Sequence, residues 1–121
     1  KFKEDEKMTT VRDIFQVIDS QLREDISRAD GIVAVYQFNL SGSDAGVYQV
    51  VLRPDAGFVI EGEKETPDCT LSMDSDDFKK MVDGELNGTE AFMSGRLRID
   101  GDMGLALRLQ EVLSAYNNAT Q

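Results

Sequence analysis

Apolar positions along this chain follow two periods. Val11, Ile14, Phe15, Ile18, Leu22 and Ile26 recur at spacings of three and four, starting beside a Thr10-x-x-Asp13 pair able to exchange hydrogen bonds at a helix start. The pattern predicts an amphipathic helix over about 10–28. In GIVAVYQFNL the period becomes two. Ile32, Ala34, Tyr36, Phe38 and Leu40 alternate with Val33, Val35, Gln37 and Asn39, so a strand is expected whose first residues are buried on both faces. SGSDAG supplies a turn and VYQVVLR a second strand, an antiparallel hairpin ended by Pro54. GFVIEGE reads as a third strand, KETPD as an acidic loop and CTLSM as a fourth strand. In the fourth, Cys69, Leu71 and Met73 face the core while Thr70, Ser72 and Asp74 face away.

The later half turns helical. DSDDFKKMVDGEL predicts a short helix with Ser75 as N-cap, Asp76 and Asp77 in the first turn, Lys79 and Lys80 later, and Gly84 as the stop; Phe78, Met81 and Val82 face inward. NGTEAFMSG gives another helical turn. RLRID gives a fifth strand, with Leu97 and Ile99 buried between Arg96, Arg98 and Asp100. Asp102 caps a closing helix with Leu105, Leu109, Val112, Leu113 and Tyr116 on one face. Met103, Ala106 and Leu107 widen that face beyond what packing on a sheet requires, which asks what they touch. Strands followed by helices predict an α+β domain, its mostly antiparallel sheet covered on one face. Residues 1–7 read as a disordered extension and 8–121 as a single domain.

Charge removes whole classes of function. Thirteen basic and twenty-three acidic residues give a formal net charge of -10, without the basic footprint that nucleic acids or anionic membranes attract. Nucleic acid is not expected as a partner, and membrane contact is at most transient. The chain contains no histidine, which removes the commonest general base and the usual zinc ligand. No catalytic residue, cofactor or metal is expected. Asp74, Asp76 and Glu85 stand at positions one, three and twelve of a calcium loop, but Phe78 and Lys79 occupy positions five and six, where an oxygen ligand and glycine are needed. DGDMG at 100–104 reads as a capped turn, and GSDAG at 42–46 as a hairpin turn. The lone Cys69 allows no internal disulfide and suits a reducing compartment, so a cytoplasmic address is expected.

Met73, Met81, Met93 and Met103 fall in or beside the apolar faces of this half, with Phe78 and Phe92 among them. Thioethers adapt to irregular apolar space, in a core or around a ligand. The segments DCTLSMDSDDFKKMVDGELN and AFMSGRLRIDGDMGLALRLQ resemble the sterol carrier protein type 2 family. Asp77-Phe78, Met81, Gly84, Leu86, Ala91-Phe92, Gly95, Leu97, Ile99, Gly101, Met103, Leu105-Ala106 and Leu109-Gln110 stand in register with its pattern.

The resemblance implies a five-stranded sheet covered on one face by about five helices, with an apolar tunnel between the layers. It implies non-catalytic binding and carriage of a fatty acid, a sterol or a fatty acyl-CoA. By the same resemblance Tyr36, Val50, Met81, Phe92, Met103, Ala106, Leu107 and Leu113 are the candidate lipid-binding residues, with Leu109, Val112 and Leu113 also carrying packing. Two features depart from familiar members: the acidic charge, and an end, NNATQ, that lacks a peroxisomal targeting tripeptide. Arg96 and Arg98 are candidates for meeting a headgroup. The rival readings are an interaction or dimerisation module of the same fold, part of a larger parent protein, and a small carboxylate-based or tyrosine-based enzyme.

Overall fold

The computed structural model describes residues 10–24 and 31–108. Helix α1 spans Val11–Glu24, and its capping pair forms as expected: Asp13 N donates to Thr10 Oγ1 at 3.1 Å and Thr10 N to Asp13 Oδ2 at 3.3 Å. Ile26 and the expected extension at 1–7 lie outside the described residues. Four strands follow, β1 (Ala34–Ser41), β2 (Gly46–Arg53), β3 (Ala56–Glu61) and β4 (Cys69–Asp74), then α2 (Ser75–Val82), α3 (Gly88–Met93), β5 (Arg98–Gly101) and α4 (Met103–Leu107). The expected element order holds throughout, with four helices among the described residues.

The strands form one sheet in the order β3-β2-β1-β4-β5. β1 and β2, β2 and β3, and β4 and β5 pair antiparallel, while β1 and β4 run parallel. The parallel pair is possible because the chain leaves β3 and returns across the sheet through residues 62–68. Register places Tyr36, Val50 and Cys69 on the same face, and likewise Phe38, Tyr48 and Leu71. All six are buried.

That face carries the core. Val11, Ile14, Phe15, Ile18 and Leu22 turn one side of α1 onto it, and Phe78, Met81 and Val82 do the same for α2. Phe15 stacks on Tyr48 at 4.4 Å and Phe78 at 5.1 Å between ring centroids, and Phe38 meets Phe78 edge-on at 5.5 Å. These offset and edge contacts add to the area that the rings bury. The aromatic cluster fills the space between α1, α2 and the β1–β2 part of the sheet. On the β4–β5 side the described helices are the short α3 and α4.

The opposite face is partly covered by a polar device. Gln49 is fully buried there; its Nε2 donates to Gln37 Oε1 and to the Glu65 carbonyl, both at 2.8 Å. Its Oε1 accepts from the amides of Lys64, at 3.1 Å, and Glu65, at 2.9 Å. Each polar atom of this side chain is satisfied, so its burial carries no desolvation penalty left unpaired. The acidic loop is thereby fastened over the sheet.

Two expectations are corrected. Val33, just before β1, is 60% exposed and Val35 is half-buried, so the start of this segment is not buried on both faces. The N-cap of α2 is Asp74, whose Oδ1 accepts from Asp76 N at 2.8 Å. Ser75 is instead buried, its Oγ accepting from Asp44 N at 3.2 Å. The carboxylate ends β4 and starts α2 in one residue, which leaves the hydroxyl free to hold the β1–β2 turn.

Candidate apolar cleft

The helices at the β5 side are short, and their caps fix where they stand. At α3, Asn87 Oδ1 accepts from the amides of Thr89 at 2.7 Å and Glu90 at 3.3 Å. Gly95, at φ 85°, ends α3 and lets Arg96 N and Leu97 N return to the Ala91 carbonyl. At α4, Asp102 Oδ1 accepts from Gly104 N at 2.8 Å and Leu105 N at 3.2 Å, the cap expected from sequence. Asp102 N itself donates to the Asp68 carbonyl at 3.0 Å, and Tyr36 Oη to the Leu105 carbonyl at 2.7 Å. The turn before α4 is tight: at Gly101, φ 103°, a Cβ would stand 2.5 Å from the Asp68 carbonyl oxygen. Only glycine fits that approach.

Between α3, β5 and α4 lies a cleft of about 260 Å³. Leu97, which is buried, and Ile99, half-buried, form its inner part. Gly88 and Phe92 contribute from α3, and Met103, Ala106 and Leu107 from α4, while Asn87 and Thr89 add its polar edge. Among the described residues, the large hydrophobic side chains left exposed are Val33, Phe92, Met93, Met103 and Leu107. All but Val33 stand on α3 or α4. Exposed apolar side chains concentrated around one hollow mark a binding surface more strongly than scattered ones.

The structure therefore brings together Phe92, Met103, Ala106 and Leu107 of the expected site. Tyr36, Val50 and Met81 do not line this cleft. Each is fully buried, Tyr36 and Val50 on the inner face of the sheet and Met81 in α2. Packing of α1 and α2 onto the sheet has already used their apolar surface. Met81 nevertheless stands close behind the cleft, since a Cβ on Gly88 would lie 3.5 Å from its Cε. Leu109, Gln110, Val112, Leu113 and Tyr116 lie outside the described residues. Sequence reading missed Leu97, Ile99, Asn87 and Thr89 as lining residues. Their signals were present, as an alternating strand pair and an N-cap motif, but each looked purely structural.

Electrostatics add no reactive group to the cleft. Its described lining is uncharged, and neither Arg96 nor Arg98 belongs to it. Arg98 pairs in register with Ser72, on the face of the sheet opposite the core. Cys69 is buried on β4, opposite Gly101 of β5, and its thiol is pushed up to about 11, first by desolvation and then by the carboxylates of Asp102, Asp100 and Asp68. No cluster of His, Cys, Asp and Glu suited to a metal ion occurs among the described residues. None of the described helices is long and apolar enough to cross a membrane.

Residues 14–114 match the SCP-2 sterol transfer family. Hydroxysteroid dehydrogenase-like protein 2 of Bos taurus is 40% identical over 109 residues, covering 89% of this chain and 26% of that protein. The Danio rerio protein of the same name is 51% identical over 81 residues, 66% of this chain and 20% of that protein. The chain thus spans a fifth to a quarter of the length of the curated relatives it matches. Among solved structures, Sterol Carrier Protein 2 from Yarrowia lipolytica in its apo form superposes with a TM-score of 0.76 at 26% identity, over 88% of this chain and 91% of that one.

Proposed function

Because this chain belongs to the SCP-2 sterol transfer family, we propose that its cleft binds an apolar lipid and carries or presents it without a covalent step. The observation that carries the reading is the ring of exposed apolar side chains, Phe92, Met103 and Leu107, around a hollow floored by Leu97 and Ile99. Left open, this surface is a liability in water. Covered by a ligand, it contributes about 25 cal/mol for each Å² of apolar surface removed from solvent. Such binding depends little on specific polar contacts, so fatty acids, sterols and acyl chains all fall within its range. One methylene changes affinity by only about 1 kcal/mol, and selectivity by length is weak.

The reading extends to a tunnel. A bound chain longer than the cleft passes Gly88 toward Met81, whose flexible thioether can repack around it. The lining offers no nucleophile with an adjacent base, which supports a binding protein over an enzyme. The unpaired buried thiol of Cys69 supports a cytoplasmic, reducing address. The greater length of the relatives favours a second element of the proposal: this domain serves a larger parent protein, to which it delivers a lipid.

Native mass spectrometry of freshly purified protein, followed by extraction and identification of what it holds, tests the reading directly. Displacement of the neutral dye Nile red by lipids supplies the affinity. Ala106→Phe, which fills the cleft from a half-buried position, is expected to abolish displacement while leaving the fold intact. Protein that is empty and ignores both dye and lipids would shift the weight to an interaction module of the same fold.

A further inference from the structure

The charge pattern around the cleft narrows the class of lipid, an inference that rests on the lipid-binding reading above. Of the described residues lining the hollow only Asn87 and Thr89 are polar, and none is charged. Asn87 commits its Oδ1 to two backbone amides, which identifies its remaining end as the Nδ2 donor. Thr89 adds a hydroxyl able to donate and accept. Carboxylates stand nearby: Glu90 borders an adjoining hollow together with Asn87 and Thr89, and Asp102 directly precedes Met103. Arg108 directly follows Leu107, and residues 109–121 include Glu111 and no basic residue.

We infer that the cleft selects uncharged lipids bearing a hydroxyl head, such as long-chain alcohols and sterols, over carboxylates and acyl-CoA of equal chain length. The apolar chain gains the same burial energy whatever its head. The head then decides. A hydroxyl exchanges water for Asn87 Nδ2 and the Thr89 hydroxyl at little net cost. A carboxylate loses part of its hydration without meeting a cation among the described lining residues, and Glu90 and Asp102 stand next to that lining in the chain. The phosphates of CoA meet the same field with more charge. The polar edge is thus matched to a neutral donor and acceptor.

Nile red displacement by dodecan-1-ol, laurate and lauroyl-CoA at neutral pH isolates the head, because the three share one chain length. Dodecan-1-ol should bind at least about tenfold more tightly than laurate, and lauroyl-CoA more weakly still. Thr89→Lys, an exposed substitution, should narrow or invert the preference by placing a cation at the mouth, while Ala106→Phe should block all three ligands. Laurate or lauroyl-CoA binding as tightly as the alcohol would overturn the headgroup inference and leave lipid binding standing. Failure of the dye and all three ligands to bind would overturn the lipid reading itself, and this inference with it.

Discussion

Tyr36 Oη, at the end of a fully buried side chain on β1, donates to the backbone carbonyl of Leu105 at 2.7 Å. The bond crosses from the central strand to α4, the element that supplies Met103, Ala106 and Leu107 to the cleft. A residue expected to touch ligand is found positioning the helix that does line the cleft.

Tyr36→Phe keeps the ring and removes that bond, so a loss of about 1 kcal/mol in stability is expected. Amide exchange should accelerate in 103–107 and stay unchanged in β1 and β2. Unaltered exchange in α4 would show that its cap and apolar packing hold it without the phenol.

Asp44 joins three elements. Its Oδ2 accepts from Val11 N at 2.7 Å and lies 3.2 Å from Lys79 Nζ, so the β1–β2 turn is tied to the start of α1 and to α2. The hydrogen bond from Val11, helped by Lys79 and opposed by desolvation, holds the carboxyl below its ordinary value of 3.8. A lowered folded pKa means that stabilisation is complete above the unfolded value and disappears as pH falls through the lower folded one. Asp44→Asn is therefore expected to cost about 1 kcal/mol from neutral pH down to about pH 5, and progressively less toward pH 3. Urea denaturation across that range measures the difference, and a cost that does not shrink in acid would remove the charge from the explanation.

The Cys69 thiol is 1% exposed and pushed up to about 11, so at about pH 8 almost none of it is thiolate. A chromogenic disulfide reagent should leave it unmodified in native protein and modify it fully in denaturant. Rapid modification under native conditions would mean that β5 opens readily from β4.

Much of the fold was legible because local rules and global packing agreed. Val11, Ile14, Phe15, Ile18 and Leu22 read as one helical face and are buried as one, and Cys69, Leu71 and Met73 alternate as their spacing required. Gly84, at φ 84°, ends α2 where glycine was read as the stop. The site was half legible. Met103, Ala106 and Leu107 stood out because they exceeded what an amphipathic helix needs, Phe92 entered through the family resemblance, and the four meet at the cleft. Tyr36, Val50 and Met81 carry the same apolar signal for another reason, since they fill the core.

Periodicity, caps and composition therefore determined which segments become helices and strands, that one face of the sheet would be covered, and that the net charge is strongly acidic. These properties depend on neighbours within a few residues or on composition. Tertiary structure alone decided that β4 lies parallel to β1, that Gln49 fastens the acidic loop, that Ser75 serves Asp44 instead of capping α2, and that the aromatic cluster fills one side of the core while a cleft remains at the other. Each depends on partners distant in sequence, and an apolar side chain has the same local pattern whether its neighbour is another side chain or a bound lipid.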